Sequence, residues 1–118
     1  MDLADKLQLK AGWRGAVLAR PRGLALPPLG GARGGDLDWV LVFLRRAEDV
    51  AAKALPAAGR LRADGVFWCA HPKKASPLYL DLARDEGWAP LLDAGWRPVR
   101  SIAIDADWSA LRFRPRPA

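Results

Sequence analysis

Basic side chains follow three predicted strands of this chain, at the points where those strands end. They are Arg20 and Arg22 after the first strand, Arg45 and Arg46 after the second, and His71, Lys73 and Lys74 after the third. Because the carboxyl ends of parallel strands meet at the edge where open α/β sheets bind ligands, we expect these side chains to cluster. A row of like charges needs solvent or an anion to compensate it. The pattern therefore predicts an anion-binding edge, and the alternative is a set of solvated loop charges of small individual cost.

His71 and Cys69 are the residues of this region that could do more than bind a ligand. His71 is the single histidine and could act as a general base, but no serine or cysteine nucleophile is visibly paired with it. Cys69 lies within an apolar run, which favours a buried and inert thiol. We therefore predict no catalytic residue.

A second group of candidates lies further along the chain, and it consists of Asp105, Trp108 and Ser109. Asp105 and Asp107 could serve acid–base or metal chemistry, because two carboxylates stand two residues apart. Asp is also a common turn residue, and no histidine lies nearby in the sequence to complete a set of metal ligands. We therefore favour a turn at this position and predict no metal site.

Alternating apolar runs and helical patterns must position these residues. The residues from 66 to 70 form an apolar run too short for a helix; a polar turn at 62–65 precedes it, and Pro72 must end its pairing. Strands are predicted at 15–19, 24–26, 38–44, 66–70, 99–104 and 108–113. Helices are predicted at 3–9, at 46–61 with a bend or an end near Pro56, and from 76 to 92, either as one helix or as two pieces because of Gly87 and Pro90. The strand at 38–44 is expected to be central and covered on both faces, because residues 39–44 are apolar without interruption.

The order of these elements predicts an α/β domain. We expect a mostly parallel sheet of five or six strands, right-handed crossovers and a C-terminal antiparallel hairpin. The chain has 118 residues, which suits a single domain over 1–118, with residues 113–118 as a frayed tail.

Composition limits the partners and the location of the protein. The formal net charge of +6 favours acidic partners such as nucleotides or nucleic acid, without choosing among them. With one cysteine, no internal disulfide can form, which fits a reducing compartment. The first residues lack the apolar stretch of a signal peptide, and no apolar run is long enough to span a bilayer. A cytoplasmic protein without membrane association is expected.

Three segments carry a family resemblance that covers most of the chain. They are LRADGVFWCAHPKK at 61–74, GWAPLLDAGWRPV at 87–99 and IAIDADWSALRFRP at 102–115. Together they resemble the DUF3052-type family of small, uncharacterised bacterial proteins, whose members have similar PKK and WSALRF signatures. The layout is also similar to the later half of a class I S-adenosylmethionine-dependent methyltransferase. The resemblance implies a Rossmann-like α/β fold with three layers and does not imply methyl transfer.

The region that would hold such a cofactor departs from the methyltransferase pattern. No G-x-G turn follows the first strand, and the glycine pairs 30–31 and 34–35 come too late and are not followed by a helix. Asp36 and Asp38 are better interpreted as strand-entry residues than as the acid that binds the ribose. We expect no cofactor, and S-adenosylmethionine remains possible only through an atypical site.

The sequence favours a non-catalytic binding module with a basic edge for an anionic or phosphate-bearing ligand. A weak, sequence-independent nucleic-acid binder is the main alternative, supported by the net charge and the RFRPRP segment at 112–117. A methyltransferase-like enzyme with an atypical cofactor site is a third possibility. A further alternative is a protein-binding module in which the glycine-rich loop or the tail becomes ordered on contact.

Overall fold

The computed structural model describes residues 2–116 and contains a mixed sheet of five strands in the order β1-β2-β3-β5-β4. The strands are β1 (Gly15–Leu18), β2 (Leu37–Phe43), β3 (Leu61–Pro72), β4 (Trp96–Ala103) and β5 (Trp108–Pro115). The first three strands run parallel to one another, whereas β5 is antiparallel to both β3 and β4. The predicted C-terminal hairpin is therefore present, as β4 and β5.

The helices of the described residues are short. They are α1 (Leu3–Lys6), α2, which comprises a π-helical turn (Val50–Ala54) followed by an α-helical turn (Leu55–Ala58), and α3 (Ala89–Asp93). Within residues 2–116 no helix is long and apolar enough to cross a membrane. The residues predicted as a frayed tail include Phe113 to Pro115, which belong to β5, and residues 117–118, which lie outside the described part.

The prediction of a helix-rich, mostly parallel Rossmann-like domain is wrong, because the protein is mostly β and half of its strand pairings are antiparallel. The largest difference is the predicted helix from 76 to 92, of which only α3 forms. Side chains compete with a helix there: the Ser76 hydroxyl accepts a hydrogen bond from the Leu78 N–H, and the Trp88 indole donates to the Ala83 carbonyl. Gly87, at φ +95°, takes a left-handed conformation that interrupts a helix.

Three smaller predictions also change. The polar turn at 62–65 does not end a helix but forms an irregular part of β3, where the pairing with β2 shifts between Leu37 and Trp39. The residues 24–26 are not a strand; instead, Leu24 and Leu26 pack against one face of the sheet. The helix predicted over 46–61 is limited to α2: at its start the Arg45 and Arg46 N–H groups donate to the Asp49 carboxylate, and at its end Leu61 already belongs to β3.

Apolar side chains cover both faces of the sheet. On the helix face, α2, Trp88 and Leu91 pack on β-strand residues that include Val40, Phe67 and Phe113. On the opposite face, here called the loop face, Leu7 and the β1–β2 connection pack on side chains that include Trp39, Trp68 and Trp108. Successive residues of β2 enter alternate layers, which confirms the prediction that this strand is covered on both sides.

One backbone carbonyl connects the end of α1 to the loop face through hydrogen bonds. The Leu7 oxygen accepts a hydrogen bond from the Trp39 indole Nε1–H at 2.7 Å and another from the Trp68 indole Nε1–H at 2.8 Å. All three residues are fully buried. Both indole donors are thus satisfied in the apolar interior, where an unpaired donor would be costly.

Candidate anion-binding cleft

A cleft opens at the carboxyl edge of the parallel strands, where two chain connections diverge. The connection from β1 to β2 passes over the loop face, where Leu24 and Leu29 pack, whereas α2 covers the helix face on the way from β2 to β3. Between them lies a cavity of about 550 Å³. Divergent connections create the ligand-binding crevices of open α/β sheets in the same way.

The cleft has an apolar floor and a charged rim. Phe43 and Trp108 meet edge to face in the floor, with ring centres 5.2 Å apart, beside Leu24 and Leu78. The charged residues that line the cleft are Arg22, Arg45, Lys53, Asp105 and Asp107. This arrangement suits a ligand that has an apolar or ring-shaped body and an anionic group.

Arg45 is the best-positioned cation of the rim. Its Nε–H donates a 3.0 Å hydrogen bond to the Leu78 carbonyl, while its backbone N–H donates to Asp49 Oδ2 at 2.8 Å. Asp49 Oδ1 lies 3.7 Å from the Lys53 ammonium. The other guanidinium donors of Arg45 make no hydrogen bond within the described residues, so they remain available to a phosphate or carboxylate.

The two carboxylates of the rim are engaged in local structure. Asp105 Oδ1 accepts 2.8 Å hydrogen bonds from the backbone N–H groups of Asp107 and Trp108, which confirms the predicted turn. Asp107 Oδ1 accepts a 2.8 Å hydrogen bond from the Ser76 hydroxyl. In residues 2–116 no group of three or more His, Cys, Asp or Glu side chains is placed to hold a metal ion.

Backbone strain is present at the mouth of the cleft. Ala19 directly follows β1, lines the cleft and has φ +57°, a left-handed conformation that costs a non-glycine residue about 1 to 2 kcal/mol. Strained residues of this kind are found preferentially where a loop must be held for binding. The left-handed conformation of Ala19 comes directly before the turn that carries Arg22.

The predicted basic cluster is divided among several places. Arg22 and Arg45 reach the cleft together with the secondary candidates Asp105 and Trp108. Arg20 instead donates to the Leu24 carbonyl at 2.6 and 3.2 Å, and Arg46 pairs with Glu48 at 3.3 Å. A separate depression of about 310 Å³ includes His71, Lys73, Lys74 and Ser109. Lys53 was not predicted as a residue of the site. It lies one helical turn after Asp49, whose carboxylate accepts hydrogen bonds from the backbone N–H groups just after the end of β2.

His71 is a core residue. It is 2% exposed and lies edge to face against Trp88, with ring centres 5.8 Å apart. Its Nδ1 is 2.9 Å from the Pro72 carbonyl, which can only accept, so Nδ1 carries the proton and Nε2 has no partner within residues 2–116. Burial lowers the pKa of His71, the Pro72 hydrogen bond opposes this effect, and the positive charge of Arg84 lowers the pKa further. His71 makes no hydrogen bond with Ser109, its neighbour across the β3–β5 ladder.

Stability should fall as the pH decreases through the titration of His71. The folded-state pKa lies below the ordinary value of 6.5, so the unfolded chain binds the proton first. The contribution of the neutral imidazole is therefore complete above about pH 6.5 and is lost as the pH falls through the folded-state pKa. Urea unfolding between about pH 8 and about pH 5 should show this loss in the native chain and not in His71→Phe. An equal loss in the variant would contradict the assignment.

Comparison of the chain with protein-family models, with curated proteins and with solved structures finds no match. The resemblance to the DUF3052-type family and to methyltransferases therefore stays a prediction. The functional argument rests on the geometry and charge of the cleft.

Proposed function

We propose that the protein is a binding module for a small anionic ligand, in particular a phosphate-bearing one, held in the cleft at the carboxyl edge. One observation carries this proposal: Arg22, Arg45 and Lys53 stand around an aromatic floor, at the point where the two connections diverge. Because guanidinium groups match phosphate oxygens in geometry as well as charge, the two arginines are the expected anchors.

The lining also favours a particular shape of ligand. An anionic group would lie against Arg45 and Arg22, while a ring would pack on the floor formed by Phe43 and Trp108. Asp105 and Asp107 supply acceptor oxygens for hydroxyl or amino groups of the ligand. A nucleotide or a phosphorylated sugar has all of these features.

A non-catalytic role in the cytoplasm is part of the proposal. The rim carboxylates accept hydrogen bonds from the turn and from Ser76, which suits positioning better than proton transfer. Cys69 is a free, buried thiol whose pKa is raised by burial, as in a structural residue rather than a nucleophile. A reducing compartment is compatible with that thiol.

A thermal-shift titration tests the proposal. Inorganic phosphate, a panel of nucleotides and S-adenosylmethionine should be titrated at low and at physiological salt. We expect a saturable rise in Tm with a phosphate-bearing compound that persists at physiological salt, since ligand at 100 times its Kd adds about 2.7 kcal/mol. A response to S-adenosylmethionine alone would favour the methyltransferase-like alternative and contradict our proposal.

Substitution of Arg22 and Arg45 should weaken this binding. Arg22→Gln/Arg45→Gln should raise Kd by about tenfold or more, because a hydrogen bond to a charged group contributes about 1.5 to 3 kcal/mol and about 1.4 kcal/mol is a factor of ten. Arg46→Gln is the matched control: Arg46 follows Arg45 directly, but its guanidinium pairs with Glu48 outside the cleft. An equal loss in the control would show that general charge, and not the cleft, binds the ligand.

A further inference from the structure

The β4–β5 hairpin has four arginines on one face, in two directly opposed pairs. Arg97 lies opposite Arg114, and Arg100 lies opposite Arg112, so each pair projects to the same side of the sheet. These four residues are here called the arginine face. Like charges directly opposite each other destabilise a hairpin. None of the four forms an ion pair within residues 2–116, so the repulsion is not compensated inside the described part of the protein.

Arg112 shows this lack of compensation most clearly. One of its terminal nitrogens donates to the side-chain oxygen of Gln8, and its Nε is buried without a partner in the described chain. Burial lowers the pKa of Arg112, and the charges of Arg114 and Arg100 lower it further. The arrangement is unfavourable for the isolated fold, which indicates a function that needs closely spaced positive charges.

A groove continues from the arginine face across the loop face. Its volume is about 380 Å³, and Arg112 and Trp13 both line it. The Lys10 ammonium is 5.2 Å and the Arg62 guanidinium carbon 5.6 Å from the centre of the Trp13 ring. Asp38 Oδ1 lies 2.6 Å from Arg62 Nε and partly neutralises this arginine. Asp64 adds one negative charge to the lining of the groove. The arginine face and the groove together form one elongated, mainly basic surface with an aromatic ring.

We propose that this surface binds single-stranded nucleic acid, with phosphates on the arginine face and unpaired bases in the groove beside Trp13. The guanidinium fork binds phosphate oxygens in pairs, and an extended phosphate chain can neutralise several arginines at once. A cationic track next to an aromatic side chain is the usual combination in proteins that bind single strands without sequence preference.

Two other kinds of partner fit the surface less well. A peptide that added a strand to the free edge of β4 would meet Pro98, which has no N–H to donate, and the irregularity between Pro98 and Arg100. A membrane surface would require apolar side chains to insert, and Val99 is the one large exposed apolar residue of this hairpin. The cationic groove therefore favours a nucleic-acid strand.

This inference does not depend on the proposed small-molecule function. The cleft lies at the carboxyl ends of the parallel strands, beside the turn between β4 and β5. The arginine face lies toward the opposite ends of the same two hairpin strands. Failure of either proposal would leave the other intact.

Fluorescence anisotropy with a short, labelled oligo(dT) tests the proposal on the full chain. The variant Arg97→Gln/Arg100→Gln/Arg114→Gln should raise Kd by about tenfold or more and reduce the slope of log K against log salt by about 2, because each phosphate contact with a single strand contributes about 0.7. Its Tm should stay unchanged or rise, because the opposed charges are removed. Arg33→Gln/Arg46→Gln/Lys74→Gln is the control, with the same loss of charge at exposed sites outside this surface.

Each outcome decides for or against the proposal. Loss of binding in the arginine-face variant, with binding retained in the control, would support it. Equal losses in both variants would overturn it in favour of unspecific attraction by net charge. Tighter binding to a DNA duplex, to polyglutamate or to anionic lipid vesicles than to oligo(dT) would also overturn it, as would absence of binding at low salt.

Discussion

Replacing Trp68 with alanine should lower the free energy of unfolding by about 3 to 5 kcal/mol, the range typical of a fully buried aromatic residue. Trp68 lies in β3, the middle strand of the sheet, and is 0% exposed. The substitution removes its packing in the loop face and leaves the Leu7 carbonyl with one indole donor instead of two. The loss should therefore loosen α1 as well as the sheet.

Urea denaturation monitored by circular dichroism measures this effect. Trp13→Ala is the control, because Trp13 packs at the border of the same cluster and is only partly buried. The control should cost clearly less, since the cost of truncation follows the apolar area that was buried. A loss below about 1 kcal/mol for Trp68→Ala would contradict the described core.

Replacing Gly30 with alanine should cost at least about 2 kcal/mol, because strain and a steric clash act at the same residue. Gly30 has φ +112°, and a Cβ atom there would lie 2.6 Å from the Gly15 carbonyl oxygen. The Gly15 oxygen is a backbone atom and the backbone of residue 30 fixes the position of the Cβ atom, so neither can rotate away. The same Gly15 oxygen accepts a 2.9 Å hydrogen bond from the Ala32 N–H, which anchors the connection that forms one wall of the cleft.

Gly31→Ala is the matched control for this substitution. A Cβ atom at Gly31 meets nothing within 4 Å, and the residue does not have a left-handed φ. Its stability should therefore equal that of the native chain or exceed it by about 0.4 to 1 kcal/mol, through the entropy of the unfolded state. Equal destabilisation by the two substitutions would indicate that the backbone around Gly30 is not as described.

The sequence predicted the strands better than the helices, for a physical reason. The runs at 39–43 and 66–70 are apolar without interruption and lie inside β2 and β3. In the region from 76 to 92, the apolar residues Leu82, Trp88 and Leu91 have a spacing that resembles a helix, and all three are buried. Turns held by side-chain hydrogen bonds bury them equally well, and the spacing of apolar residues does not distinguish the two cases.

The position of a residue at a strand end predicted part of the site. The expectation that Arg22 and Arg45 lie near each other agrees with the structure, because β1 and β2 are adjacent and parallel. It could not show that His71 belongs to the helix face, next to Trp88, while Trp108 belongs to the loop face. The face depends on the register and on the path of the chain after each strand, which are tertiary properties.

The most direct measurement for the central claim is a titration followed by NMR of the six tryptophan indole N–H signals. Inorganic phosphate and adenosine monophosphate would be added to the labelled protein. Binding in the cleft should shift the indole signal of Trp108 and the backbone amide of Arg45, and leave the indole signal of Trp88, on the helix face, in place. Shifts confined to Trp13 or Trp88, or no shift at any concentration of either ligand, would contradict the cleft as the binding site.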